Sequence, residues 1–197
     1  MTSAPSPAVA PHLERWLDQL RAIRRDDAAL TGGLAEAQLA WRPGPGRWSI
    51  AEVVKHLNLS ARPYLDAIAH ALAGARARGL SDGGGWRPTL VGGLFARSME
   101  PPPRIRLPAP RIFRPAEGAP PPPGARELAT WRSLHLEMEE RIREAAGVDL
   151  RRARFVSPVT RWVRMNAGDA FAVLLAHERR HLWQMGQIKE SEGFPRG

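Results

Sequence analysis

The sequence predicts an all-α protein: a four-helix bundle whose second and third helices are joined by a long Pro/Gly-rich crossover. Three observations predict it. Four segments carry apolar residues three and four apart, the period of a helix with one buried face. Between the second and third of them, Gly83-Gly84-Gly85, Pro101-Pro102-Pro103 and Pro120 to Pro123 break the pattern over residues 75–124. A connection that long suits a chain carried from one end of a bundle to the other. The chain has 197 residues and no cysteine, enough length to bury a core without disulfides.

The first helix is expected from Val9 to Leu30, where Leu13, Trp16, Leu17, Leu20 and Ile23 share a face. Thr31-Gly32-Gly33 ends it. A connector, Leu34 to Trp48, contains the turn sequence Arg42-Pro43-Gly44-Pro45-Gly46. The second helix begins at Ser49, which with Glu52 forms a capping box. Its stripe runs through Ile50, Val53, Val54, Leu57, Ala61, Tyr64, Leu65, Ile68 and Leu72 and should fade near Gly74. Pro63 removes one hydrogen bond inside it and is expected to bend it. Within the crossover a short helix is expected at Leu90 to Arg97, and Ile105, Leu107, Ile112 and Phe113 could pack the chain on the bundle.

The third helix is expected from Ala125 to Ala146, with Leu128, Trp131, His135, Met138 and Ile142 on one face and Gly147 after it. Arg154-Phe155-Val156 reads as briefly extended. The fourth helix starts near Asn166 and runs to Glu190, its apolar face formed by Phe171, Leu174, Leu175, Leu182, Met185 and Ile188. The expected organisation is a disordered lead over 1–9, the bundle over 10–190 and a tail over 191–197.

Composition narrows the function classes. Without cysteine, no thiolate can serve as nucleophile or ligand, so a bound metal would need nitrogen and oxygen donors. The net charge of +9 is almost all arginine, with Lys55 and Lys189 the only lysines. Those arginines are scattered and accompany an excess of Ala, Gly and Pro, so coding bias explains them better than a nucleic-acid surface. No segment reaches the roughly 18 to 20 apolar residues of a membrane span, and the N-terminus lacks the pattern of a signal peptide. The expectation is a cytoplasmic protein with a small-molecule substrate.

The chemistry-bearing pattern is His177-Glu178-Arg179-Arg180-His181. Two histidines at i and i+4 project from one side of a helix, close enough to share an ion. Both fall on the shoulder of the apolar stripe, so they face the bundle. His56, one turn after Glu52, occupies the matching shoulder of the second helix. Two facing helices can then present His56, His177 and His181 to one point in the bundle core. Three protein nitrogens leave a position open, as at catalytic metals, whereas structural zinc usually has four protein ligands. Imidazoles suit zinc, nickel, copper and iron; the expected cofactor is a divalent ion, with zinc or nickel foremost.

The other histidines carry less. His12 precedes a helix and is expected to be exposed, and His70 lies off the stripe, in solvent. His135 lies within its stripe and reads first as a buried structural histidine, second as an extra pocket group. Glu178 falls on the apolar face, so it and His135 are the candidates for moving protons. The pentapeptide also matches the zinc-protease pattern H-E-x-x-H, with Glu178 as base. That reading needs a third ligand downstream, where Glu190 and Glu192 are the only carboxylates.

Two blocks carry a family resemblance. Leu39-Ala40-Trp41-Arg42-Pro43 through Arg47-Trp48-Ser49-Ile50-Ala51-Glu52-Val53-Val54-Lys55-His56-Leu57 and His177-Glu178-Arg179-Arg180-His181-Leu182-Trp183-Gln184 resemble the DinB/YfiT-like metalloenzyme family. The resemblance covers about residues 10 to 190. It implies a four-helix bundle with a metal bound by His56, His177 and His181, and it implies that a homodimer is common. It also implies chemistry ranging from thiol-dependent S-transfer, using a low-molecular-weight thiol, to isomerisation. The expected function is a metal-dependent enzyme, a transferase, isomerase or hydrolase using an activated thiol or water. The alternatives are a non-catalytic metal-binding stress-response module, a helical scaffold with structural histidines, and the zinc protease.

Overall fold

The computed structural model describes residues 10–81, 85–103, 108–116, 118–159 and 161–196. The lead over 1–9 and the expected packing of Ile105 and Leu107 lie outside those residues. Helix α1 spans Pro11–Thr31, with proline in its first turn, where its missing N–H costs nothing. Helix α2, Glu36–Ala40, is a short element within the expected connector; its start is held by Gln38, whose Oε1 accepts from the Ala35 N–H at 2.8 Å. Five residues are too few to show a helical period, which is why the sequence pattern passes over it.

Helix α3 spans Ile50–Ala77. The capping box forms as read: Ser49 Oγ accepts from the Glu52 N–H at 3.2 Å, and Glu52 accepts from the Ser49 N–H at 2.9 Å. Arg42 clamps the same carboxylate through two bonds of 2.8 and 2.5 Å. The helix continues through Pro63 and past Gly74 as far as Ala77. Gly79, in the left-handed region at φ 63°, stops it instead.

Helix α4 spans Leu90–Met99 in the crossover, slightly longer than expected, and Thr89 caps it. A single 3-10 turn follows at Arg111–Phe113. Of its two apolar residues only Phe113 is buried; Ile112 is exposed. Helix α5 spans Gly124–Glu144 and helix α6 Ala167–Lys189, the latter capped by Asn166. Strand β1, Arg154–Val156, pairs antiparallel with β2, Arg164–Asn166. The sequence marks β1 but not β2, because three residues carry no readable alternation.

Helices α1 and α3 each pack against both α5 and α6, so α1 and α3 lie on one diagonal of the bundle and α5 and α6 on the other. Side-chain pairings give the directions. Asn58 bonds Glu127 and Arg62 bonds Glu137, so α3 and α5 run parallel. Arg24 meets Glu139 while Asp27 meets Arg132, so α1 and α5 run antiparallel. Arg179 meets Gln19 and Lys189 reaches the Leu30 carbonyl, so α1 and α6 run parallel.

Parallel α3 and α5 explain the crossover. After α3 the chain must travel back along the bundle from Ala77 to the level of Asn58, which meets Glu127 in the first turn of α5, a rise of roughly 30 Å, before α5 can start. It does so along α6: Thr89 bonds Asp169 at 2.5 Å, and Glu100 meets Arg179 at 3.0 Å, one helix length later. Two glycines permit this approach. A Cβ on Gly92 would lie 2.2 Å from Cγ of Asp169, and one on Gly168 2.1 Å from the Trp86 ring nitrogen. Trp86 also covers His12, which stands edge-on to Trp16 at 5.4 Å. His12 is therefore buried, at 4% exposure, contrary to the sequence expectation; the covering indole comes from a segment far away in sequence. His70 is exposed as read.

The core lies between the four long helices, around Trp131, Phe171, Leu20, Leu57, Leu65 and Met138. Beyond α6 the chain turns back, and Phe194 packs edge-on to Trp41 at 5.5 Å. Among the described residues no helix is long and apolar enough to cross a membrane.

Candidate metal centre

Antiparallel α3 and α6 bring His56, His177 and His181 together. Nε2 of His177 lies 3.2 Å from Nε2 of His56 and 3.0 Å from Nε2 of His181. One ligand atom from each lies within 4.8 Å of the others. Nitrogens at about 2.05 Å from a tetrahedral ion stand about 3.3 Å apart, so the observed spacing is close to that of three ligands on one ion.

Hydrogen bonding among the rings does not account for this cluster. Nδ1 of His56 lies 2.8 Å from the Phe113 carbonyl, which can only accept, so Nδ1 carries the proton. Nδ1 of His181 likewise faces Oε1 of Gln184 at 2.8 Å. With both Nδ1 positions protonated, the neutral rings present lone pairs at Nε2. A neutral His177 has one N–H at most and can satisfy one of those lone pairs, not both. A shared cation satisfies all three.

Burial keeps the rings neutral. It pushes His177 down to about 3, reinforced by the nearby His56 and Arg180. It holds His181 well below its ordinary value, with His177, His56 and Arg180 adding to burial and the Gln184 hydrogen bond opposing it. His56 is also lowered by burial, against the raising effects of the Phe113 carbonyl and the Glu178 charge. Neutral imidazole is the form that binds metal.

The cluster opens on a cavity of about 290 Å³. Its walls are largely apolar, with Trp48, Phe95, Met99, Phe113 and Leu174 among them, and Ser60, Tyr64, Arg180 and Gln184 supply polar atoms. No carboxylate lines it among the described residues. Tyr64 bonds Ser157 at 3.1 Å, and burial raises its phenol above the ordinary range, so it stays protonated. The Ser60 hydroxyl is turned to its own helix, donating to the His56 carbonyl at 2.9 Å.

Glu178 and His135 do not line this cavity. The Glu178 carboxylate is buried between α5 and α6, where it accepts from Trp131 Nε1 at 2.7 Å and lies 3.4 Å from His135 Nε2. A protease base must reach the reacting atoms, whereas this carboxylate faces an indole. The third histidine of the cluster comes from upstream, on α3, and not from the C-terminal segment a protease pattern calls for. Sequence reasoning missed Gln184, Arg180 and the Phe113 carbonyl. Gln184 stands one turn beyond His181, a spacing that could have flagged it. The Phe113 contribution is a backbone atom and leaves no residue-type signal.

Comparison with known proteins agrees with the fold. The solved structure of YfiT from Bacillus subtilis, described as a probable metal-dependent hydrolase with an unusual four-helix bundle topology, aligns over 98% of this chain and 95% of that one. The TM-score is 0.58 at 15% sequence identity, a likeness of fold. No curated protein matches the chain in sequence. The model of the DinB superfamily matches residues 19–185, a span that contains both sequence blocks and all three clustered histidines, and the chain belongs to that superfamily.

Proposed function

We propose that the chain is a divalent-metal-dependent enzyme acting on a small molecule, with the ion held by His56, His177 and His181. The observation that carries this is the convergence of three neutral Nε2 atoms, two of them fixed as lone-pair donors by partners on the far side of each ring. The donor set suits zinc or nickel. The description of YfiT as a probable metal-dependent hydrolase supports the same reading.

The chain's own groups divide the work. Phe113 and Gln184 hold two imidazoles in orientation, the usual role of groups behind a metal ligand. Trp48, Phe95 and Phe113 make a mostly dry wall, in which electrostatic interactions are strengthened. Tyr64 can donate a hydrogen bond to a substrate oxygen in the cavity. Glu178 acts on the ligands through its charge alone, raising the basicity of His56, while His135 meets Glu178 at 3.4 Å and is held back from the ligand cluster. A divalent ion bound there would supply Lewis acidity, polarising a carbonyl or lowering the pKa of a water or thiol. Any thiol must arrive as a co-substrate, because the chain has no cysteine.

The test is elemental analysis of untagged protein beside His56→Ala. It is paired with turnover on an ester and amide panel and on a thiol-plus-electrophile panel, before and after chelation. We expect about one ion per chain, lost in the variant, and turnover that chelation removes and added metal restores. Bound metal with no turnover in either panel would make the protein a binding module. Full activity without metal would overturn the proposal. Light scattering of the same preparation reads out the homodimer that the family resemblance implies.

A further inference from the structure

The chamber beside the three histidines continues into a second depression. Trp48, Arg180 and Gln184 line both, so one indole, one guanidinium and one amide form the passage between them. The outer groove has a volume of about 450 Å³, and Arg47, Trp183 and Gln187 are also among its lining residues. Its lining holds two guanidinium groups and no carboxylate among the described residues. Glu100 pairs with Arg179 at 3.0 Å, and Glu190 accepts from Gln187 at 3.1 Å from outside the lining. The chamber likewise lacks a carboxylate, and its histidines are neutral ligands that would leave the charge of a divalent ion uncompensated at its walls.

We propose that the groove between Arg47 and Arg180 is an anion subsite, and that the chamber's ligand is an organic anion with an apolar body. The body lies against Trp48, Phe95 and Phe113. The anionic head, a carboxylate or a phosphate, reaches past Gln184 to the guanidinium groups, which suit such oxygens as paired donors. Arg180 is half-buried and tied to the Ser98 carbonyl at 3.2 Å, so it is the fixed member. Arg47, exposed ahead of α3, is the mobile one and the weaker. The proposal rests on the metal reading for the role of the chamber, not for the role of the arginines.

The probes are 4-phenylbutyrate and its neutral amide, titrated calorimetrically into untagged protein loaded with zinc and into the same protein after chelation. We expect the acid to bind at least about tenfold tighter than the amide in both states, since a hydrogen bond to a charged group is worth about that much. The preference should weaken with added salt. It should fall by less than half its logarithm in Arg47→Gln and by more than half in Arg180→Gln. Arg180→Gln removes a tie to α4, so Arg47→Gln keeps the test valid if that variant loosens. Phenyl phosphate in place of the acid separates the two head groups. Equal binding of acid and amide, or no binding of either at millimolar concentration, would overturn the subsite. So would a preference that survives both substitutions and vanishes on chelation, which puts the carboxylate on the metal. Arginine-dependent preference in a protein that takes up no zinc on loading would sink the metal reading and leave the subsite standing.

Discussion

Thermal stability should depend on the metal by an amount set by how the site is assembled. His56 comes from α3, and His177 and His181 from α6, 121 positions later for the His56–His177 pair. An ion held by all three exists only when the two helices are packed, so its binding energy adds to folding stability. At a free ion concentration a hundredfold above the dissociation constant the gain is about 2.7 kcal/mol. For a chain of this size each kcal/mol moves the midpoint by about 2–4 °C, so metal should raise Tm by about 5–11 °C. His177→Ala removes the central nitrogen, the one within 3.2 Å of both others, and should cut the shift to below about 2 °C. Without metal the variant should melt within about 1 kcal/mol of wild type, because His177 then leaves one neighbouring lone pair unsatisfied and contributes little. The assay is circular dichroism melting at matched free zinc, with and without chelator. An equal zinc shift in both proteins would refute the argument, as would a wild type that binds zinc by elemental analysis yet melts at the same temperature without it.

Three further outcomes follow from the packing. Trp131→Phe puts a smaller phenyl ring in place of a fully buried indole and removes the N–H that meets the Glu178 carboxylate at 2.7 Å, so stability read from the urea midpoint should fall by at least about 1–3 kcal/mol at unchanged m-value. Gly92→Ala would drive a Cβ into Asp169 and cost the α4–α6 contact about 1–3 kcal/mol. Because α4 has no fully buried residue, the cost should appear as faster amide exchange in Leu90–Met99 and not as a lower global midpoint. Glu52 is raised by burial but lowered more by Arg42 and Ser49, for a net pKa below its ordinary 4.5. A depressed folded pKa means stability that is present above the unfolded value and lost as pH falls through the folded one. Urea midpoints measured from pH 6 to about 3 should therefore drop across the acid range, and more shallowly in Arg42→Gln; an identical profile in that variant would show that the clamp does not set the shift.

Much of the bundle is legible in the sequence because its causes are local. Ser49 and Glu52 are three apart, so the cap of α3 is written in one tetrapeptide, and the stripes of α1, α3, α5 and α6 repeat at the helical period. Elements shorter than two turns, such as α2 and β2, carry too few residues for a period to show. His12 was misplaced for a different reason: its burial depends on Trp86, which no local pattern connects to it.

The sequence by itself determined that His177 and His181 share a helix face and that His56 occupies the matching shoulder of another helix. Those are consequences of residue spacing on a fixed backbone period. Only the tertiary structure decided that α3 and α6 are neighbours, so that the three Nε2 atoms converge. It alone decided that the Phe113 carbonyl and Gln184 fix two of those nitrogens as lone pairs, and that Glu178 turns to Trp131 and away from the cavity. Spacing governs which way a side chain leaves its own helix, but what it meets there depends on long-range packing, and so does the chemistry of the site.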